Sequence, residues 1–337
     1  MSLRAGDEIG EWLVEGTLGE GSMGVVYRCR DLEFRSIPAA IKVSKSKLSP
    51  RARKRFIREA ELLRELDHEA IIKVRNQGED ERRQLSWFAM ELLEGITFRE
   101  RIQHPTPLSV GMALSLFARL ADGLAYAHER HIFHRDLKPS NLYLCLDGSV
   151  RILDFGVGLA VEWSPLTATD QQMGTYAYMP PEVFRGRSVD PALGDVYGLG
   201  LVLYEVLMGE EIFLQPLTQM TTMKLNATPM DLGAGYPDDL RELLIRATDP
   251  EPETRLESMQ EFADRVLELS LEFPAEPDDA SFPEDLRLEV ISRSAHSASA
   301  QETLIPGGGG PTTAAGSVLN TGVHQMTATQ VATPIPS

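Results

Sequence analysis

Within eight consecutive residues, His134-Arg135-Asp136-Leu137-Lys138-Pro139-Ser140-Asn141, this chain brings together a carboxylate, an ammonium group and a carboxamide. Asp136 can accept a hydroxyl proton, Lys138 can neutralise charge building up beside it, and Asn141 offers a hard oxygen to a divalent cation. Upstream, Leu18-Gly19-Glu20-Gly21-Ser22-Met23-Gly24-Val25-Val26-Tyr27 spaces its glycines as G-x-G-x-x-G. Glycines lack Cβ atoms and let backbone N–H groups approach phosphate oxygens. The same spacing occurs in dinucleotide-binding folds, where a helix follows; here Val25-Val26-Tyr27 reads as a strand, so a hairpin fits better. Taken alone, the segment is equally an ordinary glycine-rich turn. Lys42 stands in the apolar run Ala39-Ala40-Ile41-Lys42-Val43 and needs a partner if it is buried. Glu59 can be that partner, and the pair could grip phosphates; an exposed lysine and a solvated glutamate are the plainer alternative.

These groups need elements to hold them. Glu11–Leu18 and Val25–Cys29 read as a hairpin, Ala39–Val43 and Leu85–Met90 as strands, and Arg51–Leu66 as a helix with Phe56, Ala60, Leu63 and Leu66 on one face. From Thr97 onward the pattern turns helical: Ser109–His128, Asp195–Met208, Asp238–Thr248 and Ser258–Leu271. The outline is α+β in two lobes, a small strand-rich one with one key helix and a larger, mainly helical one.

The segment 134–141 closely resembles the catalytic loop H-R-D-L-K-P-x-N of the eukaryotic-like serine/threonine protein kinases of bacteria. Lysine two positions after the aspartate is the serine/threonine version. The resemblance runs from about Asp7 to Leu271. It implies a kinase domain over 7–271, with an N-lobe at 7–91, a hinge at 91–95 and a C-lobe at 96–271. It implies ATP with Mg2+ (Mn2+ being possible). Asp136 would orient the attacking hydroxyl, and Lys138 would neutralise the transferred phosphoryl. Asn141 and Asp154, the latter in Asp154-Phe155-Gly156, would hold the metal. Lys42 and Glu59 would grip the nucleotide, and residues 18–26 would cover its phosphates. Val26 and Ala40 would roof the adenine, Met90 would be the gatekeeper, and Glu91 and Leu93 would offer it backbone groups. His134 would be a packed structural residue, stacking with Leu63, Val74 and Phe155 on Asp195.

The resemblance extends to Gly174-Thr175-Tyr176-Ala177-Tyr178-Met179-Pro180-Pro181-Glu182. Thr175 would contact Asp136 and Lys138, and Glu182 would pair with Arg255. Thr167 and Thr169 occupy positions that are autophosphorylated in bacterial relatives, and Arg135 marks the class in which such a phosphate organises the site. A transient homodimer for trans-autophosphorylation is possible. The chain departs from the family at three places. Pro180 replaces the usual alanine, Tyr143 replaces an aliphatic adenine-pocket floor, and Gly209–Gly235 lacks the G-x-x-P-F pattern. None removes a catalytic group. An inactive scaffold of the same fold typically lacks one of Lys42, Asp136 and Asp154, and a small-molecule kinase usually lacks the segment ending in Glu182.

Composition sets the limits. Hydrophobic residues make up 42% and charged residues 25%, as in a soluble globular protein. No apolar run reads as long enough to span a bilayer, the first residues lack the apolar stretch of a signal peptide, and a cytoplasmic protein with protein substrates is expected. A net charge of −17 argues against nucleic acid. Cys29 and Cys145 are too few and too far apart for a metal knuckle or a disulfide framework. Asp249–Glu289 carries 14 acidic against 3 basic residues. Residues 272–337, acidic and then rich in Gly, Pro, Ser and Thr, read as a disordered tail. Its threonines could dock a phosphothreonine-binding partner; a solvating terminus is the plainer reading.

Overall fold

The small lobe is built on a sheet whose central strands, Pro38–Ser44 and Leu85–Met90, are buried almost throughout because both faces of the sheet are covered. In the computed structural model, which describes residues 2–21, 24–34, 36–45, 48–155, 176–212, 215–275 and 282–299, six antiparallel strands form a sheet ordered β1-β2-β3-β4-β6-β5. They are β1 (Glu8–Ile9), β2 (Trp12–Glu20), β3 (Gly24–Asp31), β4 (Pro38–Ser44), β5 (Val74–Asp80) and β6 (Leu85–Met90). One face closes over Ile9, Trp12, Val14, Tyr27, Cys29, Ile41 and Trp87. Leu3 joins this core, and its N–H donates to the Tyr27 hydroxyl at 3.1 Å, so the lobe begins before the expected Asp7. The other face receives α1 (Pro50–Glu65), whose Ser49 cap accepts from the Ala52 N–H. Phe56, Ala60 and Leu63 of α1 are buried, and Phe56 lies 5.3 Å from Phe88 of β6.

A second sheet, β7 (Gly95–Thr97), β8 (Leu142–Cys145) and β9 (Val150–Ile152), lies just past the hinge, and Gly148 turns between β8 and β9 at φ 80°. Helices make up the rest: α2 (Phe98–Ile102), α3 (Val110–Glu129), α4 (Pro181–Phe184), α5 (Pro191–Met208), α6 (Leu217–Leu225), α7 (Asp238–Ala247), α8 (Met259–Glu272) and α9 (Glu284–Ser299). The sequence reading finds no apolar run of membrane-spanning length, yet α3 and α5 are long and apolar enough by composition. Their burial inside the large lobe accounts for that composition: Leu114, Phe117, Leu120 and Leu124 of α3 and Leu199, Val202 and Leu203 of α5 are fully enclosed. α5 starts four residues before the expected Asp195, because Asp190 caps the Ala192 N–H and Pro191 suits a first helical turn. The segment 209–235, hard to place from sequence, contains α6, with Met220 and Lys224 buried.

The expected disordered tail needs correction over its described part. Residues 282–299 form a turn and α9, with Phe282, Leu286 and Val290 spaced four apart so that one stripe joins the main core. The Pro/Asp-rich stretch before it hides that stripe from a compositional reading. α9 lies against β7 and β2. Arg287 donates from Nη2 to Leu146 O at 3.1 Å, and Asp285 meets His104 at 3.0 Å. Phe282→Ala removes a large buried side chain worth about 3–5 kcal/mol, more than a peripheral helix can lose. It is expected to undock α9, read as faster hydrogen exchange at residues 284–292; unchanged protection there would show that the helix is held by other means.

Candidate active site

Two groups of polar residues face each other across the cleft between the lobes. From the small lobe, β4 carries Lys42 and α1 carries Glu59, and Lys42 Nζ donates to Glu59 Oε1 at 2.7 Å. Both are buried, so the pairing that the sequence left open is formed. Lys42 Nζ also donates to Asp154 Oδ1 at 2.8 Å, and the Asp154 side chain keeps 48% of its exposure. Burial works against charge on Lys42, but the Asp154 and Glu59 carboxylates outweigh it and raise its pKa. Burial pushes Glu59 up, against the pull of Lys42. Asp154 also feels burial, yet Lys42 holds it below the usual carboxylate range. One cation therefore bridges two carboxylates, and the three groups cohere as a unit.

The catalytic segment follows α3 and runs through a 3-10 turn, Pro139–Asn141, into β8. Lys138 Nζ donates to Asp136 Oδ2 at 2.7 Å. Asn141 Nδ2 donates to Asp136 O at 2.8 Å and to Asp136 Oδ2 at 3.2 Å. The Asp136 carboxylate is thereby fixed through one oxygen, and the Asn141 amide is oriented by its nitrogen.

Behind this loop, buried Asp195 of α5 accepts from the His134 and Arg135 N–H groups, each at 2.7 Å. His128 Nε2 also meets Asp195 at 2.9 Å, a partner the sequence reading missed because it took His128 only as the end of the helix 109–128. Arg135 sits at φ 63° and Asp154 at φ 51°, conformations that side chains rarely adopt. The bond to Asp195 holds the first of them. His134 Nδ1 accepts from the Asp136 N–H at 3.2 Å and Nε2 donates to Leu153 O at 2.8 Å, which fixes one tautomer. Burial lowers its pKa. Its ring stands 4.9 Å from that of Phe155, and Leu63 and Val74 are buried in the same core, as expected of a packed residue.

The glycine-rich segment is a hairpin of β2 and β3, closed by the Gly21 N–H donating to Gly24 O at 2.8 Å. At Gly24 a Cβ would fall 2.5 Å from Val43 O, so only glycine lets β3 pass β4 there. Among the described residues, a Cβ at Gly19 would meet nothing within 4 Å. Leu18 is exposed at its mouth, and Ala40 is buried. Ser22, Met23, Gly156, Thr167, Thr169 and Thr175 lie outside the described residues. The expected pair of Glu182 and Arg255 is formed: Nη1 to Oε1 is 2.7 Å, Nη2 to Oε2 is 2.6 Å, and both side chains are almost wholly enclosed. The Tyr197 ring has Arg255 4.9 Å and Lys224 4.7 Å from its centre. Lys224 Nζ donates to the Tyr197 hydroxyl at 3.0 Å, and burial holds its pKa well below normal. Arg135 is exposed and has no acidic partner among the described residues.

A family model described as "Protein kinase domain" matches residues 12–271. "Serine/threonine-protein kinase PknB" of Mycobacterium tuberculosis is 35% identical over 272 residues, which is 77% of this chain and 43% of that protein. "Serine/threonine-protein kinase PknL" of the same species is 33% identical over 250 residues, 72% of this chain and 62% of that one. The chain thus spans less than half the length of the PknB relative it matches. Among solved structures, the PknI kinase domain of M. tuberculosis superposes with a TM-score of 0.61 at 30% identity, covering 79% of this chain and 99% of that one. The fold described above, with a curled sheet over a helical lobe, is the fold of those domains. By the extent of that match and the polar groups it brings to the cleft, this chain is a member of the protein kinase domain family.

Proposed function

We propose that this chain transfers the γ-phosphoryl group of ATP to serine or threonine hydroxyls of proteins, its own activation segment included. The observation that carries the reading is the cleft itself, with Lys42 and Glu59 from the small lobe, Asp154 of the large lobe bonded to Lys42, and Asp136, Lys138 and Asn141 in the catalytic segment. Asp154 and Asn141 offer two hard oxygens, and no group of three or more His, Cys, Asp or Glu side chains suited to a metal occurs among the described residues. That donor set fits Mg2+ (or Mn2+), which keeps water and phosphate oxygens in its shell rather than an all-protein cage. The ion supplies charge neutralisation on the β- and γ-phosphates.

The chain's own groups supply the rest. Asp136 presents the carboxylate oxygen not engaged by Lys138 and Asn141 to the substrate hydroxyl, orients it and receives its proton. The oxygen–phosphorus bond forms as the bond to the β,γ-bridging oxygen breaks, and ADP leaves. Lys138 stands beside the transferred group, and Lys42 holds the remaining phosphates. Phosphate on Thr167 or Thr169 would find Arg135 available. The buried free thiols of Cys29 and Cys145 and the need for ATP support a cytoplasmic position for this domain.

Labelled ATP, Mg2+ and a generic basic protein test the reading. Lys42→Met is expected to lower transfer about 100-fold, because it removes a phosphate-gripping donor. Wild-type chain that binds ATP but transfers nothing would favour a scaffold. For the activation segment, intact mass and peptide mapping of protein purified beside an Asp136→Asn control are expected to show phosphate on Thr167 and Thr169 in the wild type only. Equal phosphate in both would sink autophosphorylation.

A further inference from the structure

The hinge of the cleft is tied at both ends by two side chains that the chemistry above does not use. β8 runs between β7 and β9, so Tyr143 stands opposite Thr97 on one side and Arg151 on the other. Cross-strand partners share a face, and successive residues alternate. Leu142 and Leu144 fill the core below, which puts Tyr143 and Arg151 together on the cleft side of the ribbon. From there the Tyr143 hydroxyl donates to Gly95 O at 2.8 Å, and Arg151 Nε donates to Glu91 Oε1 at 3.2 Å.

Glu91 and Gly95 are the two ends of the hinge. Glu91 is fixed further: its N–H donates to Lys73 O at 3.0 Å, and its Oε1 accepts from the Lys73 N–H at 3.1 Å. At Gly95 a Cβ would lie 2.1 Å from Leu144 O and 2.9 Å from Tyr143 Cε1, so the hinge backbone is pressed onto the tyrosine ring and the strand beneath it. Arg151 is braced in turn by Ser149 Oγ at 3.2 Å and Val150 O at 2.9 Å. An aliphatic residue at 143 would not make the tether to Gly95.

We propose that the Tyr143–Arg151 pair is a hinge clamp: it positions the Glu91–Leu93 backbone for the purine edge and thereby sets selection of adenine over guanine. This rests on the ATP reading above. Guanine reverses the donor and acceptor order that adenine presents. A site rejects such a mismatch only while its own polar groups cannot shift to re-pair. A hinge pinned at both ends cannot slide, and a ring locked by its hydroxyl cannot swing out of the floor.

The test uses the full chain and measures Kd for ATP and for GTP, each with Mg2+, in wild type, Tyr143→Phe and Arg151→Gln. Tyr143→Phe keeps the ring and removes one hydrogen bond, and is expected to weaken ATP about fivefold while GTP changes less, so that discrimination narrows. Arg151→Gln is expected to act in the same sense, and hydrogen exchange at residues 91–95 of the nucleotide-free protein is expected to quicken in both variants. Equal shifts for ATP and GTP, or none, would overturn the clamp while leaving the kinase reading intact. Wild-type protein that binds neither nucleotide would overturn the kinase reading and this role with it.

Discussion

Asp136→Asn is expected to lower kcat for phosphoryl transfer about 1,000-fold, within the range for loss of a positioned proton acceptor. The substitution preserves the size of the side chain and can preserve the hydrogen bond from Lys138. It removes the charge that orients the hydroxyl and the lone pair that receives its proton. Because Asp136 lies among part-exposed groups, Lys138 being 19% and Asp136 20% exposed, neither change leaves a charge stranded in the core. The fold should therefore survive, and nucleotide should still bind. Single-turnover transfer to a serine peptide, run beside ATP titration, separates the two. A kcat within tenfold of wild type would take the proton-accepting role away from Asp136.

Arg255→Met is expected to destabilise the large lobe by roughly 3–5 kcal/mol, the usual effect of stranding one member of a buried ion pair. Its partner Glu182 is 1% exposed and takes both guanidinium donors. Arg255 Nε additionally donates to Asp249 O at 2.6 Å, so the same side chain ties α4 to the loop ahead of α8. In a domain of this size the loss corresponds to a Tm lower by about 10 °C. The double variant Glu182→Gln with Arg255→Met removes both charges and should recover part of the loss. Urea titration of the singles and the double gives the coupling; a single-variant loss below about 1 kcal/mol would mean that solvent reaches the pair.

The chemistry of this cleft was legible because its groups are specified by type and close spacing. Asp136, Lys138 and Asn141 lie in one short loop, and the family resemblance carried by that loop is what paired Lys42 with Glu59; on their own residues an exposed lysine and a solvated glutamate were the plainer reading. The residues that escaped detection have roles that depend on three-dimensional neighbours. Arg151 looks like an exposed strand residue until β8 and β9 are paired. His128 looks like one polar position on α3 until α5 delivers Asp195 beside it. Lys224 falls in a stretch without a family pattern, and only its enclosure against Tyr197 shows that it is part of the core. α9 was lost because its three apolar contacts are diluted by acidic and small residues on either side. Boundaries shifted where a cap outweighed the apolar pattern, as at Asp190.

α9 is anchored to the large lobe near its start, by Asp285 and Arg287, and it also lies against β2 of the small lobe. At 1.5 Å of rise per residue its length is about 24 Å. It is thus an outrigger across the pivot. A rotation of about 5° between the lobes becomes a displacement of about 2 Å over that arm. Small angular motions at the hinge are thereby turned into linear sliding at the protein surface, where a pair of fluorophores on α9 and β2 would read them as distance.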